Sequence, residues 1–182
     1  MAVKTFTTGE VLTASDTNTY LNNGGLVYIT GTTIGSAVAS VVVSNCFSST
    51  YDNYKIVWST YNNSTTTNFL LSINGSTGAI YFTTGLFCQP GSTTVSGVQV
   101  SNATSGYVGF SQGSYASGGT VEIQNPFIAQ RAYFQASMMA PGYAAWVNTV
   151  VADTSSSTGF TFATSAGTMT GGTIRVYGYR QA

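Results

Sequence analysis

The stretch Tyr51–Gly85, YDNYKIVWSTYNNSTTTNFLLSINGSTGAIYFTTG, decides the fold class of this chain. Every second residue of Tyr54–Trp58 and of Phe69–Ile73 is large and apolar. Because side chains two residues apart share one face of a strand, this period predicts strands and not helices. Residues 74–78 (NGSTG) tolerate the backbone angles of a tight reversal. We therefore expect three consecutive, mutually paired strands at the centre of a β-sandwich.

Short segments with similar alternation occupy most of the chain, separated by turns rich in Gly and Ser. Nothing indicates the βαβ order of a parallel sheet, so the pattern predicts an all-β, jelly-roll-like antiparallel β-sandwich with a short N-terminal helical arm. In the last strand, Ile174 and Val176 should face inward, and Gly178 is typical of a bulge or a close backbone approach. The predicted strands are Leu26–Thr30, Ala39–Ser44, Tyr54–Tyr61, Asn68–Ile73, Ala79–Thr84, Val95–Ser101, Tyr107–Ser111, Gly119–Asn125, Arg131–Met138, Tyr143–Ala152, Gly159–Thr164 and Thr173–Tyr179.

Residues 1–24 differ from the rest and are predicted to form an arm that precedes a sandwich domain of residues 25–182. The arm contains the one helix candidate, from about Ala14 to Asn22, and Thr13 and Asp16 have the spacing of a capping box. A helix this short needs a surface to pack on. It either caps its own sandwich or docks on another subunit or a host particle.

Charged residues make up only 5% of the chain, against roughly 25% in an ordinary soluble domain. The formal net charge is zero, and the chain contains no His but 12 Tyr and 10 Phe. A chain so rich in aromatic residues is not typical of disorder, so it should fold with a surface of hydroxyls and amides instead of ions. Such a surface lacks charge repulsion and suits a component of a particle that is exposed to the outside world.

Neither nucleic acid nor a membrane is an expected partner. Affinity for nucleic acid depends on many phosphate contacts, but the five basic residues form no run along the chain. No apolar stretch approaches the ~20 residues that span a bilayer. Residues 1–25 also lack the apolar core of a signal peptide.

No enzymatic activity is predicted. Residues Gly109–Gly113 match the nucleophile-elbow pattern G-x-S-x-G, but the chain has no His to act as the base, and the elbow requires an α/β fold. The five carboxylates are scattered along the chain. A fold could bring Asp52 and Glu122 together, but nothing in the sequence requires the close pair that carboxylate catalysis needs.

No cofactor or metal is predicted either. The chain has no His, its two Cys residues are far apart, and it contains no acidic calcium loop or glycine-rich phosphate loop. Cys46 and Cys88 either form one disulfide or remain as buried free thiols.

Carbohydrate is the one ligand class that the composition leaves open. Sugars are commonly held by an aromatic face together with amide and hydroxyl groups, which this chain has in quantity. Tyr107, Phe110 and Tyr115 lie in or beside a Gly- and Ser-rich segment whose tips should be exposed, so they are candidate glycan or partner contacts. The alternative is that these aromatic residues belong to the core or to a subunit interface.

Three segments together resemble structural proteins of tailed bacteriophages. Gly9–Tyr20 is similar to the pattern Gly-Glu-x-Leu-Thr-Ala-x-Asp-x-Asn-x-Tyr, which precedes the main domain of small phage virion proteins. Tyr51–Ile56 and Ile174–Gly178 resemble β-sandwich domains of phage tail fibres and related appendages.

The resemblance implies a non-enzymatic structural protein of the virion, such as a short, self-associating tail fibre or appendage that forms a homotrimer. Residues 1–24 would anchor it to other virion proteins, and the sandwich would project outward towards host surface polysaccharide. Because no fibre shaft is visible, a capsid decoration (cement) or head-fibre protein is the alternative, and a free carbohydrate-binding module is a further one. The anchoring residues that the resemblance implies are Phe6, Gly9, Glu10, Leu12, Thr13, Asp16, Asn18 and Tyr20.

Overall fold

The structure, a computed structural model, describes residues 5–16, 25–74, 76, 78–89 and 91–180. These residues form one short helix, α1 (Ala14–Asp16), and twelve strands, each of which overlaps a predicted strand. The strands are β1 (Leu26–Thr33), β2 (Ser40–Val43), β3 (Asn53–Asn63), β4 (Thr67–Ile73), β5 (Tyr81–Cys88), β6 (Ser96–Ala103), β7 (Gly106–Ser111), β8 (Ser117–Gln124), β9 (Ala132–Ala140), β10 (Tyr143–Val151), β11 (Phe160–Thr164) and β12 (Met169–Tyr179).

Two antiparallel sheets form the predicted β-sandwich. The larger sheet has eight strands in the order β1-β12-β3-β8-β9-β10-β5-β6, and the smaller has four in the order β2-β11-β4-β7. In a jelly roll, two four-stranded sheets pack face to face. The small sheet has the jelly-roll order β2-β11-β4-β7, and the large sheet contains the matching order β3-β8-β5-β6, with β9 and β10 inserted between β8 and β5. The jelly-roll-like prediction is confirmed, with the larger sheet extended by β1 and β12 at one edge.

The predicted pairing of three consecutive central strands is wrong. Strand β3 pairs with β12 and β8 in the large sheet, β4 pairs with β11 and β7 in the small sheet, and β5 returns to the large sheet beside β10 and β6. Strands of both sheets bury every second side chain, so the alternation in the sequence does not indicate which sheet a strand joins. The connection after β4 therefore crosses between the sheets and does not close a hairpin.

The core lies between the sheets and is rich in aromatic residues. Trp58 of β3 is only 2% exposed, and its ring centroid lies 4.6 Å from that of Phe69 and 5.0 Å from that of Phe162. Phe69 belongs to β4 and Phe162 to β11, so this cluster joins the two sheets. The inward positions predicted from Tyr54–Trp58 and Phe69–Ile73 are all buried, which confirms the period.

The end of β12 also follows its sequence pattern. Ile174 and Val176 are buried, as predicted. Gly178 keeps regular register with Val27 and with Tyr54, so the expected bulge is not there. The group that closely approaches Gly178 is a side chain and not another backbone segment. A Cβ added to Gly178 would lie 2.5 Å from the ring of Tyr51.

Among the described residues, the N-terminal arm contains only the three-residue helix α1. Its predicted capping box is formed, because the backbone N–H of Asp16 donates to Thr13 Oγ1 and the backbone N–H of Thr13 donates to Asp16 Oδ2, both at 3.1 Å. The remainder of the predicted helix, up to Asn22, lies outside the described residues. No helix within the described ranges is long and apolar enough to cross a membrane.

The two cysteines are free thiols, so the disulfide alternative is wrong. Cys46 is buried, whereas Cys88 is partly exposed. Burial raises the pKa of the Cys46 thiol to about 12 because a thiolate would lose its hydration there.

Tyr81 should make the fold sensitive to alkaline pH. Its side chain is fully buried, and its hydroxyl accepts the backbone N–H of Ile73 at 2.8 Å, so it links β5 to the end of β4. Burial raises the pKa of Tyr81 to about 12. Between pH ~10 and ~12 the unfolded chain releases this proton while the folded chain keeps it, so stability falls as pH rises.

We expect this tyrosine to contribute a loss of about 1 kcal/mol in the free energy of unfolding between pH 9 and pH 11. Urea unfolding of wild type and Tyr81→Phe at both pH values measures it. The variant lacks the titrating hydroxyl, so its loss over this interval should be smaller than that of wild type. Equal losses in the two proteins would contradict the assignment.

Candidate functional site

The outward face of the eight-stranded sheet carries a row of polar side chains. Strand register places Glu122 of β8 beside Gln135 of β9, Gln135 beside Asn148 of β10, and Asn148 beside Thr84 of β5. Neighbouring strands lie about 4.8 Å apart, so the row presents a closely spaced series of donors and acceptors. We call Glu122, Gln135, Asn148 and Thr84 the polar row.

Aromatic and apolar side chains border the polar row on both sides. On one side of the row, at a distance of two residues along the strand, lie Tyr133 of β9 and Phe82 of β5, which are 42% and 40% exposed. Two residues in the other direction, Trp146 of β10 and Leu86 of β5 are directly paired and about half exposed. Each of three adjacent strands therefore carries an aromatic residue followed two positions later by a polar one.

Grooves follow this face of the sheet. One has a volume of about 270 Å³ and runs over β8, β9, β10 and β5, where Phe82 and Tyr133 lie beside the polar row. A second groove shares Glu122 and Gln135 with it and continues towards Tyr179 of β12. The polar row thus lies on the floor of a depression that spans much of the sheet.

Glu122 is held by a cation and a hydroxyl. Its Oε1 lies 2.7 Å from Lys55 Nζ in the neighbouring strand β3, and its Oε2 accepts the hydroxyl of Tyr179. Burial, together with the hydrogen bond to Glu122 and the repulsion of a phenolate by this carboxylate, raises the pKa of Tyr179 to about 12. The carboxylate is compensated by Lys55, so this end of the groove carries no net charge.

The amides of the groove are available to a ligand. Within the described part of the chain, the side chains of Gln135 and Asn148 form no hydrogen bond. Both are exposed on regular strands, so their backbone positions are fixed by the ladders on either side. No group of three metal-ligating side chains occurs among the described residues.

The three aromatic residues predicted as glycan contacts do not form a single cluster. The hydroxyl of Tyr107 accepts Asn68 Nδ2 at 3.1 Å, and the ring of Phe110 packs on Tyr143 with centroids 4.9 Å apart. Both of these side chains are partly buried, whereas Tyr115 is 49% exposed in the turn between β7 and β8. Their role in binding stays a prediction.

The predicted anchor lies in a segment with two local turns. The backbone N–H of Thr7 donates to Glu10 Oε2, and the backbone N–H of Glu10 donates to the carbonyl of Thr7, both at 3.1 Å. The capping box of Thr13 and Asp16 follows directly. Of the other anchor candidates, Phe6, Gly9 and Leu12 are exposed, and Asn18 and Tyr20 lie outside the described residues.

Sequence reasoning missed the polar row and its borders. A signal for them is present in the sequence: on three strands, an outward-facing aromatic residue is followed two positions later by an outward-facing polar residue. The pairs are Phe82 and Thr84, Tyr133 and Gln135, and Trp146 and Asn148. The alignment of these pairs across the sheet depends on strand order, which the sequence does not state. Comparison with protein-family models and with curated proteins finds no match to this chain.

Proposed function

We propose that this chain is a non-enzymatic structural component of a bacteriophage virion, a short, self-associating tail fibre or appendage that its N-terminal arm anchors to the particle. The observation that carries the proposal is the exposure of apolar side chains in the arm: Val11 is 79% exposed and Leu12 is 49% exposed. These adjacent apolar side chains contribute nothing to the core, so they are available to dock on another protein. The resemblance of Gly9–Tyr20 to the leading segments of phage virion proteins supports the same role.

The body of the chain suits this role independently of the arm. The buried core cluster lies entirely between Ile34 and Val176, and the described residues 5–15 contribute nothing to it. The body can therefore fold while the arm contacts another protein. Self-association, which we propose to be trimeric, would bury further surface and give the extracellular particle kinetic persistence.

Removal of the arm should separate folding from incorporation. We expect a chain that lacks residues 1–24 to remain folded and self-associated but to be absent from purified phage particles. Circular dichroism and analytical ultracentrifugation measure the first property, and quantitative mass spectrometry of purified particles measures the second. Normal incorporation of the truncated chain would overturn the anchoring role.

A matched pair of substitutions locates the effect within the arm. Val11→Ser with Leu12→Ser removes the two exposed apolar side chains of the arm and should reduce incorporation strongly. Val42→Ser with Val95→Ser removes exposed valines of the body, which are 59% and 53% exposed, and should leave incorporation unchanged. The number of copies per particle then distinguishes a tail appendage, present in few copies, from a capsid decoration protein that covers the shell.

A further inference from the structure

The geometry points to the groove over the polar row as a binding site for an uncharged oligosaccharide. The sequence predicts glycan contacts at Tyr107, Phe110 and Tyr115, whereas this site lies on the regular strands β8, β9, β10 and β5. The inference rests on the proposed function only for the source of the glycan, since the ligand of a virion appendage would be a polysaccharide of the host surface. The binding chemistry itself belongs to the isolated chain.

The groove combines the kinds of side chain that bind sugars. A sugar ring has apolar C–H faces and a rim of hydroxyls, so it binds best where an aromatic face lies beside donors and acceptors. Tyr133 and Phe82 supply exposed rings at one border of the polar row, and Trp146 supplies one at the other. Between them, Gln135 and Asn148 each offer an amide that both donates and accepts.

The spacing of the exposed rings fits an extended sugar chain. Tyr133 is paired with Val150, which is paired with Phe82, so the two rings stand two strands apart. Two strand spacings amount to about 10 Å, far enough for the rings to stack on separate sugar units of one chain. Val150 leaves a shallow apolar floor between them, and the groove is open along the sheet, as an extended ligand requires.

The charge of the groove favours a neutral ligand. Lys55 compensates Glu122 at one end of the groove, and the other members of the polar row are uncharged. An acidic glycan would find no free cation among these residues, and a basic ligand would have to displace Lys55. An uncharged glycan needs no ionic partner, so the pairing of Lys55 with Glu122 does not weaken its binding. Glu122 and the hydroxyl of Tyr179 can still contact sugar hydroxyls.

Pre-organisation favours this site over a loop site. The polar row stands on four hydrogen-bonded strands in regular register, and Lys55 and Tyr179 hold the Glu122 carboxylate in place. Binding groups whose positions are already fixed lose little conformational entropy when a ligand arrives. The exposed ring of Tyr115, in a turn, lacks this advantage.

The test is titration of the full chain with uncharged and charged oligosaccharides, followed by calorimetry and by NMR. The probes are maltotriose, cellotriose, triacetylchitotriose and lactose, with sialyllactose as the charged comparison. We expect saturable binding of at least one uncharged probe and weaker binding of sialyllactose. Tyr133→Ala and Gln135→Leu should each weaken that binding by about ten-fold or more.

Two controls make the result specific. Tyr61→Ala removes a tyrosine that is 70% exposed at the far end of β3, and Asn62→Leu removes an exposed amide beside it; both should bind as wild type does. The proposal is overturned if no uncharged probe binds at millimolar concentration, if sialyllactose is preferred, or if the controls weaken binding as much as the groove variants. It is also overturned if Tyr133→Ala dissociates the oligomer, because the groove is then an interface between copies of this chain.

The outcome is independent of the arm. A chain that enters particles through residues 1–24 but binds no sugar contradicts only the groove. A chain that binds sugar through Gln135 but does not need its arm for incorporation contradicts only the anchoring role.

Discussion

Replacement of Trp58 with alanine is expected to lower the free energy of unfolding by about 4 kcal/mol. The indole lies between the sheets, 2% exposed, against the rings of Phe69 and Phe162. A truncated side chain would leave a cavity between the two sheets, beside Phe69 and Phe162 of the small sheet, and neither sheet can move inward without disturbing its own hydrogen bonds. Urea or thermal unfolding, followed by circular dichroism, measures the loss.

Two further variants test the reason for this loss. Tyr61→Ala removes an exposed aromatic residue of the same strand and should change the stability by no more than about 0.5 kcal/mol. Trp58→Phe should cost less than Trp58→Ala, because it keeps a ring in the cluster and removes an indole N–H that has no hydrogen-bond partner among the described residues. A loss for Trp58→Ala as small as that for Tyr61→Ala would contradict the position of Trp58 in the core.

Gly172→Ala is expected to destabilise the protein by on the order of 3 kcal/mol, or to prevent folding. Gly172 has a φ of +101°, which side chains of L-residues rarely adopt. An added Cβ would also overlap the carbonyl oxygen of Ser59 and lie 2.9 Å from the Cα of Thr60. These atoms belong to the β3 backbone that pairs with β12, so they cannot move aside without breaking the ladder.

Gly97→Ala is the matched control. Gly97 also lies in a strand, at the edge of the large sheet, but nothing lies within 4 Å of a Cβ placed on it. This substitution should be neutral or slightly stabilising, because alanine restricts the unfolded chain more than glycine does. Unfolding midpoints of the two variants measure the contrast, and similar values for both would show that the close approach at Gly172 does not limit stability.

The fold class follows from local features of the sequence. Successive residues of a strand face opposite sides, so a strand with one buried face has an apolar residue at every second position. This pattern is visible in a short segment of sequence, as at Tyr54–Trp58 and at Ile174–Val176. The capping box of Thr13 and Asp16 was predictable for a similar reason, since its partners lie three residues apart. The free state of Cys46 and Cys88 was not predictable, because it depends on how the strands are arranged in space.

The candidate groove cannot be predicted from neighbouring residues in the sequence. Gln135 of β9 and Asn148 of β10 belong to consecutive strands, but Thr84 comes from β5, far earlier in the chain. The Gly-rich surroundings of Tyr107 and Phe110 predict exposed rings, but in the structure these two side chains have partners of their own. Exposure of a particular ring depends on which strand covers it.

The sequence alone predicts an all-β chain, a body that is poor in charge and rich in aromatic residues, apolar side chains that alternate inward, and a self-capped segment before the body. These properties come from neighbouring residues and from composition. The folded protein alone reveals that β3, β4 and β5 alternate between two sheets, and that amides and rings from different strands align on one outer face. Either sheet buries an alternating strand equally well, so packing and pairing across the whole chain determine which sheet each strand joins.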